Sequence, residues 1–234
     1  MDALKVDRLL GRLGTTLLPP RCLLCREPGA EGRELCSACA RALPWLGHAC
    51  RFCALPLHEA GTCGGCLQTT PPLDATHAAF VYGFPLDRML PRFKFHEDLA
   101  AGRLLSQLMA DAFASLPRPD ALVPVPLHRA RLRSRGYDQA LELAKPLARA
   151  LRIPLLANAL VRTRQTQPQS ELDADARARN LRNAFAVGSR IVLPEHVVLI
   201  DDVMTTGATL HAAARALRRA GVARVDAWVC ARVP

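Results

Sequence analysis

One segment near the C-terminus constrains the fold more than any other. Residues 196–210 join an apolar run to two adjacent acids and then to a glycine turn rich in hydroxyl groups. The apolar part, 196–200 with Val203 beyond it, is short and β-branched, as a parallel strand covered on both faces would be. Residues 208–220 are alanine-rich with helical spacing and precede Gly221, a residue typical of helix ends. The segment therefore predicts a strand, turn and helix in an α/β sheet, with a ligand at the carboxyl end of the strand.

The turn and the acids before it favour a sugar-phosphate site. Hydroxyl groups, backbone N–H groups and the Cβ-free Gly207 stand where the helix begins, and a helix N-terminus attracts a phosphate monoester. Asp201 and Asp202 can accept hydrogen bonds from vicinal ribose hydroxyls or hold a hydrated magnesium ion. The alternative is a strand that ends in two solvated acids. The spacing of the acids to the Thr-Thr-Gly-x-Thr turn favours the sugar-phosphate interpretation.

This stretch resembles the phosphoribosyl pyrophosphate motif of type I phosphoribosyltransferases, in which two acids precede a small-residue phosphate loop. The resemblance implies that Asp201 and Asp202 are the catalytic pair that holds the ribose hydroxyls, with magnesium accompanying the phosphoribosyl ligand. It implies that any contact at Met204 is made through the backbone. The residues implied to hold the 5′-phosphate are Met204, Thr205, Thr206, Gly207, Ala208 and Thr209.

Eight cysteines form four C-x-x-C pairs between residues 22 and 66. Two thiolates at one tight turn can face the same tetrahedral ion, so eight cysteines predict two structural zinc sites. Four disulfides would stabilise the segment comparably, and a redox site is a further alternative, but reducing cytosol favours zinc. Sequential pairing is favoured over a cross-braced arrangement. It places Cys22, Cys25, Cys36 and Cys39 at one site and Cys50, Cys53, Cys63 and Cys66 at the other.

Composition is that of a globular, basic protein. At 234 residues, half of them apolar, the chain can form one sizeable core plus a small module. Arginine supplies 28 of the 31 basic residues behind the net charge of +10, and guanidinium groups suit phosphate oxygens. A GC-rich genome would also enrich arginine, so the charge supports polyanion binding without proving it.

The N-terminal residues resemble neither a secretory signal nor a membrane span. Residues 1–20 contain scattered charges and apolar residues at helical spacing, which favours an amphipathic helix docked on the body over membrane attachment. We therefore expect a cytoplasmic protein with no membrane span. Pro71-Pro72 suggests two domains: 1–71, an N-terminal helix and double zinc ribbon, and 72–234, a phosphoribosyltransferase-type domain.

The middle of the chain combines regular elements with a basic segment. Residues 75–84 and 121–127 predict strands, and the prolines of the second place its end at a loop. Residues 86–116 are helical in period with interruptions around Pro91 and His96. A helix is expected from Tyr137 to Leu151. Directly before it, alternate arginines predict an anion-binding surface, although a solvated basic loop is the alternative on residue types alone. They are Arg129, Arg131, Arg133 and Arg135.

A polar stretch follows at residues 160–169, and helical character resumes over 173–185. Such a stretch suits either a mobile hood that closes over a ligand or an ordinary surface loop. Cys230 lies in the apolar run 225–233 and is expected to be a buried core thiol.

The order of motifs across about residues 20–230 resembles the ComF family. The motifs are the cysteine pairs, Phe93-Lys94-Phe95, residues 123–127, residues 131–139, Gln165-Thr166-x-x-Gln169, Arg179-Asn180 and the terminal phosphate motif. The resemblance implies an α/β fold, a type I phosphoribosyltransferase-like parallel sheet with flanking helices, preceded by a small cysteine-rich zinc-ribbon module. The family usually has Phe and Asn where Tyr137 and Asp138 stand. In competent bacteria it is associated with handling imported single-stranded DNA.

Two functions follow from this resemblance. As a binding protein, the chain would hold phosphoribosyl pyrophosphate or a nucleotide. It would bind single-stranded DNA along the arginines, with Tyr137 available for stacking. Its role would be in DNA uptake and natural transformation, with DNA-uptake proteins as possible partners. As a phosphoribosyltransferase, it would use phosphoribosyl pyrophosphate and magnesium on an unknown acceptor, with residues 126–131 at the pyrophosphate and 162–169 excluding water. The residues identify no acceptor site, so we favour the binding role and leave catalysis open.

Overall fold

The computed structural model of the chain describes residues 20–163, 184–188 and 191–234. The chain divides into two compact units, Met1–Leu43 and Pro44–Pro234. In the first unit, the described residues form a turn closed by a bridge between Arg21 and Pro28, followed by helix α1 (Ser37–Ala42). The N-terminal helix expected within residues 1–20 lies outside the described residues.

The second unit contains a four-stranded parallel sheet, in the order β1 (Ala75–Val81), β6 (Arg224–Arg232), β5 (His196–Met204) and β2 (Ala121–Pro124). A separate antiparallel pair is formed by β3 (Leu160–Arg162) and β4 (Phe185–Val187). The fold class predicted from the sequence is confirmed. In chain order the elements are α2 (Gly64–Gln68), β1 (Ala75–Val81), α3 (Leu86–Phe95), α4 (Leu99–Phe113), β2 (Ala121–Pro124), α5 (Arg129–Arg135), α6 (Gln139–Leu151), β3 (Leu160–Arg162), β4 (Phe185–Val187), β5 (His196–Met204), α7 (Ala208–Arg219) and β6 (Arg224–Arg232). None of the helices in these described ranges has the length and apolar character needed to cross a membrane.

Helices cover both faces of the sheet because its central strands are apolar on both sides. Residues 197–200 of β5 are fully buried. On one face, α7 packs against Val197 and Leu199, with Ala213 and Leu217 in the same core. On the other face, α4 and α6 pack against each other and the sheet. There the ring centroids of Phe113 and Trp228 lie 5.1 Å apart. Alternation along the strand therefore divides the core into two layers.

Residues 44–46, which lead into the second set of cysteines (Cys50, Cys53, Cys63 and Cys66), cover one edge of this sheet. Trp45 bridges antiparallel to Phe80, the N–H of Leu46 donates to the carbonyl of Ala79 at 3.0 Å, and the N–H of Val81 donates to that of Pro44. These bonds satisfy the free edge of β1, which would otherwise be open to pairing with another chain. The second set of cysteines lies in the same compact unit as the sheet. The domain boundary near residue 72 stays a prediction.

Several predicted elements have different bounds in the structure. Strand β5 continues through both acids to Met204, which pairs with Arg232 of β6. Pro91 lies inside α3 without interrupting it, so the predicted break there is wrong; the break falls after Phe95, and Asp98 caps α4. As its prolines predicted, β2 ends early, at Pro124 on the sheet edge.

Other differences lie around the basic and polar segments. The alternating arginines are not in a loop but in helix α5, and α6 begins two residues later than predicted, at Gln139. Phe185, at the end of a stretch predicted to be helical, instead begins β4. The rest of the predicted hood, residues 164–183, lies outside the described residues. Cys230 is fully buried, as predicted.

Candidate functional site

The eight paired cysteines form two separate four-sulfur clusters. In each cluster the ligand atoms lie within 4.8 Å of one another, with Cys22, Cys25, Cys36 and Cys39 in the first and Cys50, Cys53, Cys63 and Cys66 in the second. The grouping is the sequential one favoured by the sequence. The Sγ–Sγ distance is 3.6 Å for both Cys25–Cys36 and Cys53–Cys63. A tetrahedral site with Zn–S bonds of about 2.3 Å separates its sulfurs by about 3.8 Å, whereas a disulfide needs about 2.05 Å. The residues therefore fit structural zinc.

Backbone N–H groups make each cluster ready for a cation. The N–H of Cys39 points to Sγ of Cys36 at 3.4 Å, and that of Cys63 to Sγ of Cys50 at 3.3 Å. Burial raises the pKa of Cys22 and of Cys50, but backbone N–H donors outweigh burial and lower each pKa to about 6. One thiolate in each cluster is thus stabilised by the fold itself, which assists metal binding because only the thiolate is a ligand.

Asp201 and Asp202 lie near the carboxyl end of β5, a central strand of the sheet. Oδ1 of Asp201 accepts the N–H of Asp202 at 2.9 Å, and Asp202 is only 8% exposed. Burial, and then the neighbouring charge of Asp202, raise the pKa of Asp201 well above its usual range, although the N–H of Asp202 and the charge of Lys94 oppose the shift. Two carboxylates that repel each other in this way favour a cation or several hydroxyl donors beside them.

A cation reaches this pair from a distant part of the chain. Nζ of Lys94, in the last turn of α3, lies 3.0 Å from Oδ2 of Asp202. Sequence analysis did not assign Lys94 to the site. The sequence feature that could have indicated Lys94 is its position between two phenylalanines. Phe93 is fully buried, and its ring centroid lies 5.8 Å from that of Tyr137, which anchors the end of the helix that carries the lysine.

The predicted phosphate turn forms a small cavity of about 40 Å³ after β5, lined by Asp201 and residues 203–210. Gly207 has φ +76°, a left-handed conformation that favours glycine, and it precedes the first turn of α7. The side chain of Met204 is buried beneath the turn, where its Cε would lie 2.4 Å from a Cβ added to Gly207. Thr206 accepts the N–H of Ala208 through Oγ1 at 3.4 Å. Small size and exposed backbone suit a phosphate group better than a large ligand.

Helix α5 divides the four predicted arginines into two pairs. Residues four apart share a helical face, so Arg131 and Arg135 lie on one face and Arg129 and Arg133 on another. The guanidinium of Arg135 lies 4.9 Å from the ring centroid of Phe95. A cleft of about 220 Å³ is lined by Lys94, Phe95, Glu97, Ser134, Arg135 and Tyr137. Arg129, Arg131 and Arg133 are exposed, and none of the three lines this cleft or the turn.

Arg162 brings a further positive charge to the acids. Burial lowers the pKa of Arg162, the charge of Arg131 lowers it further, and Asp201 opposes the shift, so Arg162 lies within electrostatic range of both Arg131 and Asp201. The structure therefore brings Lys94 and Arg162 to the carboxylates, and it places Arg135 and Tyr137 in the cleft that Lys94 also lines.

Asp138 organises the loop beside the acids. One carboxylate oxygen caps α6 by accepting the N–H of Leu141 at 3.1 Å, and the other accepts the N–H of Leu127 at 2.7 Å. Burial raises the pKa of Asp138, these backbone donors oppose the shift, and the charge of Asp202 adds to it. An asparagine at this position would have only one oxygen for the two donors. The carboxylate thus ties the loop after β2 to the start of α6.

The fold and the place of this site define a phosphoribosyltransferase-type α/β protein that carries zinc-ribbon modules. Residues 13–67 match the family described as double zinc ribbon domain, and residues 138–234 match the phosphoribosyl transferase domain. The first match includes all eight paired cysteines, and the second includes Asp201, Asp202 and the glycine turn.

Similarity to known proteins extends over nearly the whole chain. It is 38% identical over 226 residues to the DNA utilization protein YhgH of Escherichia coli, covering 92% of this chain and 98% of that protein. It is 36% identical to competence protein F of Haemophilus influenzae over 91% and 96% of the two chains. Competence protein ComFC of Bacillus subtilis is 30% identical over 81% and 80%. The chain belongs to the ComF family.

Proposed function

We propose that this chain binds a phosphoribosyl ligand, either phosphoribosyl pyrophosphate or a nucleotide, together with single-stranded DNA, and acts in the utilisation or uptake of DNA. The names of the relatives, a DNA utilization protein and two competence proteins, support the DNA role. The observation that carries the ligand assignment is the juxtaposition of Asp201 and Asp202 with a small backbone-lined turn at the end of one central strand.

Each part of such a ligand has a matching group. The phosphate would lie over the turn at residues 204–209, where backbone N–H groups begin α7. The ribose hydroxyls would donate to Asp201 and Asp202, which relieves the repulsion that raises the pKa of Asp201. Magnesium suits the same oxygens, and when bound it would neutralise charge between the carboxylates and the ligand phosphates. Lys94 would remain close enough to contact an anionic group of the ligand.

The proposed DNA contact lies beside this site. Arg131 and Arg135 provide charge on one face of α5, while Tyr137 and Phe95 provide rings at the adjoining cleft. Phosphate contacts make affinity fall with salt, and aromatic rings accept bases of any sequence. The net charge of +10 is consistent with a polyanionic partner.

The test of the phosphoribosyl site is calorimetric titration of phosphoribosyl pyrophosphate with magnesium chloride. Wild type should bind, and Asp201→Asn/Asp202→Asn should lose at least tenfold in affinity. The matched control is Glu59→Ala/Asp87→Ala, which removes two exposed acids outside the site and should bind as wild type does. Absence of binding by wild type would show the site assignment to be wrong.

For DNA, the two faces of α5 provide matched variants. Fluorescence anisotropy with single-stranded DNA should show a steep salt dependence, and Arg131→Ala/Arg135→Ala should weaken binding more than Arg129→Ala/Arg133→Ala, which removes equal charge. Binding that is indifferent to salt and to both substitutions would overturn the DNA proposal.

A second function, phosphoribosyl transfer, is favoured by the positive groups opposite the carboxylates. Arg162 lies within electrostatic range of Asp201 and of Arg131, so the two guanidinium groups could stabilise a departing pyrophosphate. Incubation of the protein with phosphoribosyl pyrophosphate, magnesium and a panel of nucleobases tests this activity. Pyrophosphate release that requires a base and is lost in Asp201→Asn/Asp202→Asn would support it; binding without release would leave the binding function alone.

A further inference from the structure

A second basic cleft lies at the other end of α7 from the phosphate turn. Its volume is about 450 Å³, and it opens between the second cysteine cluster, the segment 70–74 and the C-terminal half of the helix. The side chains that supply its charge and its ring are Arg51, Phe52, Asp74, Arg215, Arg218 and Arg219. Because a helix rises about 1.5 Å per residue, Arg215 and Arg219 lie about 12 and 18 Å along the axis of α7 from Gly207, and the two cavities share no lining residue. The two sites are therefore distinct.

Among the residues that the structure describes, carboxylates neutralise only one of the four arginines in the cleft. Arg218 pairs with Asp74, whose Oδ2 also accepts the N–H of Val225 at 2.8 Å. Arg51 donates to a neutral acceptor, the carbonyl of Asp74, at 3.3 Å. Within the described ranges, no carboxylate lies at ion-pair distance from Arg215 or Arg219. Arg218 and Asp74 thus hold the wall together, and three positive charges remain available for a ligand.

The three remaining arginines line one cleft although they are distant in the sequence: Arg51 lies in the cysteine segment, and Arg215 and Arg219 lie in α7. Arg215 and Arg219 are exposed and four residues apart, so they share a face of α7. Cations near a helix C-terminus offset the helix dipole, which explains a single arginine in the last turn. It explains neither Arg51, which is fixed by the cysteine cluster, nor the aromatic ring beside it. The guanidinium of Arg51 lies 5.6 Å from the ring centroid of Phe52.

We infer that this cleft is an additional binding site for single-stranded nucleic acid, in which Arg51, Arg215 and Arg219 contact successive backbone phosphates and Phe52 offers a stacking surface. A groove that combines arginines with an aromatic ring is the usual means of binding a single strand without sequence preference. The ligand class rests on the proposed DNA role, but the surface differs from the one on α5.

The experiment is fluorescence anisotropy of full-length, zinc-loaded protein with a labelled single-stranded oligothymidylate over a salt series. Arg215→Ala/Arg219→Ala should lose at least tenfold in affinity at low salt. Since each phosphate contact to a single strand contributes about 0.7 to the slope of log K against log salt, the slope should fall by about 1.4. Phe52→Leu, which keeps apolar bulk but removes the ring, should weaken binding several-fold.

The control is Arg41→Ala/Arg149→Ala, which removes two exposed arginines from the last turns of α1 and α6 and should bind as wild type does. Wild-type affinity and salt slope in Arg215→Ala/Arg219→Ala, or an equal loss in the control, would overturn the inference. If Arg131→Ala/Arg135→Ala alone weakens binding, the proposed function stands and this cleft does not take part. If wild type binds no DNA, both fail. Displacement of the oligonucleotide by polyglutamate at equal charge would show a general polyanion site and overturn the nucleic-acid assignment.

Discussion

Lys94 and Asp202 form an ion pair, with 3.0 Å between Nζ and Oδ2, although 108 positions separate them in the sequence. The side chains are 23% and 12% exposed, so water screens the pair only in part. The lysine partly offsets the repulsion between Asp201 and Asp202. Without this lysine, positive charge beside the two carboxylates would have to come from a bound cation such as magnesium.

Replacement of this lysine should therefore increase the dependence of the fold on magnesium. We expect Lys94→Met to lower the free energy of unfolding by about 1–3 kcal/mol, because it leaves a carboxylate largely buried and unpaired. Magnesium should restore more stability to this variant than it adds to wild type. Thermal unfolding with and without magnesium chloride measures both effects.

Lys145→Met is the control for Lys94→Met. Lys145 pairs with Glu142 where both side chains are more exposed than those of Lys94 and Asp202, so its loss should change stability by less than about 0.5 kcal/mol. Equal responses of Lys94→Met and wild type to magnesium would show that the ammonium and the metal do not share a role.

Removal of the two zinc sites should have unequal effects on the sheet. The second cluster lies in the same compact unit as the sheet and adjoins the segment that pairs with β1, whereas the first lies in the other unit. Cys50→Ser/Cys63→Ser should therefore lower the unfolding temperature of the sheet, and Cys22→Ser/Cys36→Ser should leave it nearly unchanged. Each variant should retain about one zinc ion per chain, since each keeps one complete site. Metal analysis and circular dichroism test this, and equal destabilisation by both pairs would contradict it.

Local patterns predicted the elements of this chain better than they predicted its site. The strand, turn and helix of residues 196–220 were predicted closely because period, acids and glycine lie within one continuous segment. Lys94 and Asp138 were missed because their partners depend on how distant strands and helices assemble. The alternating arginines predict a single anion-binding surface, but helix α5 places Arg131 and Arg135 on a different face from Arg129 and Arg133. Sequence spacing cannot specify such a face until the local backbone is known.

Acid should destabilise the protein through His211. Burial, and then the charge of Arg215, lower the pKa of His211 from 6.5 to about 4. Between these values the unfolded chain binds a proton that the folded protein does not, so stability present above pH 6.5 is lost as pH falls towards 4. The full contribution is about 3 kcal/mol. Denaturant unfolding of wild type and His211→Gln across this range tests it: the difference between them should vary with pH, and parallel curves would exclude the effect.

The conformation of the phosphate turn predicts that a single methyl group impairs it. Gly207 has φ +76°, and a Cβ there would lie 2.4 Å from Cε of Met204 and 3.0 Å from Nε2 of His211. Gly207→Ala should cost about 1–2 kcal/mol of stability from the left-handed backbone. It should also weaken phosphoribosyl pyrophosphate binding, because relief of the clash displaces the N–H groups that we propose hold the phosphate. Gly47→Ala, which adds the same methyl group where no atom lies within 4 Å, controls for the effect of the substitution on chain entropy. Calorimetry that shows full ligand affinity in a folded Gly207→Ala would mean that the turn does not bind the phosphate through its backbone.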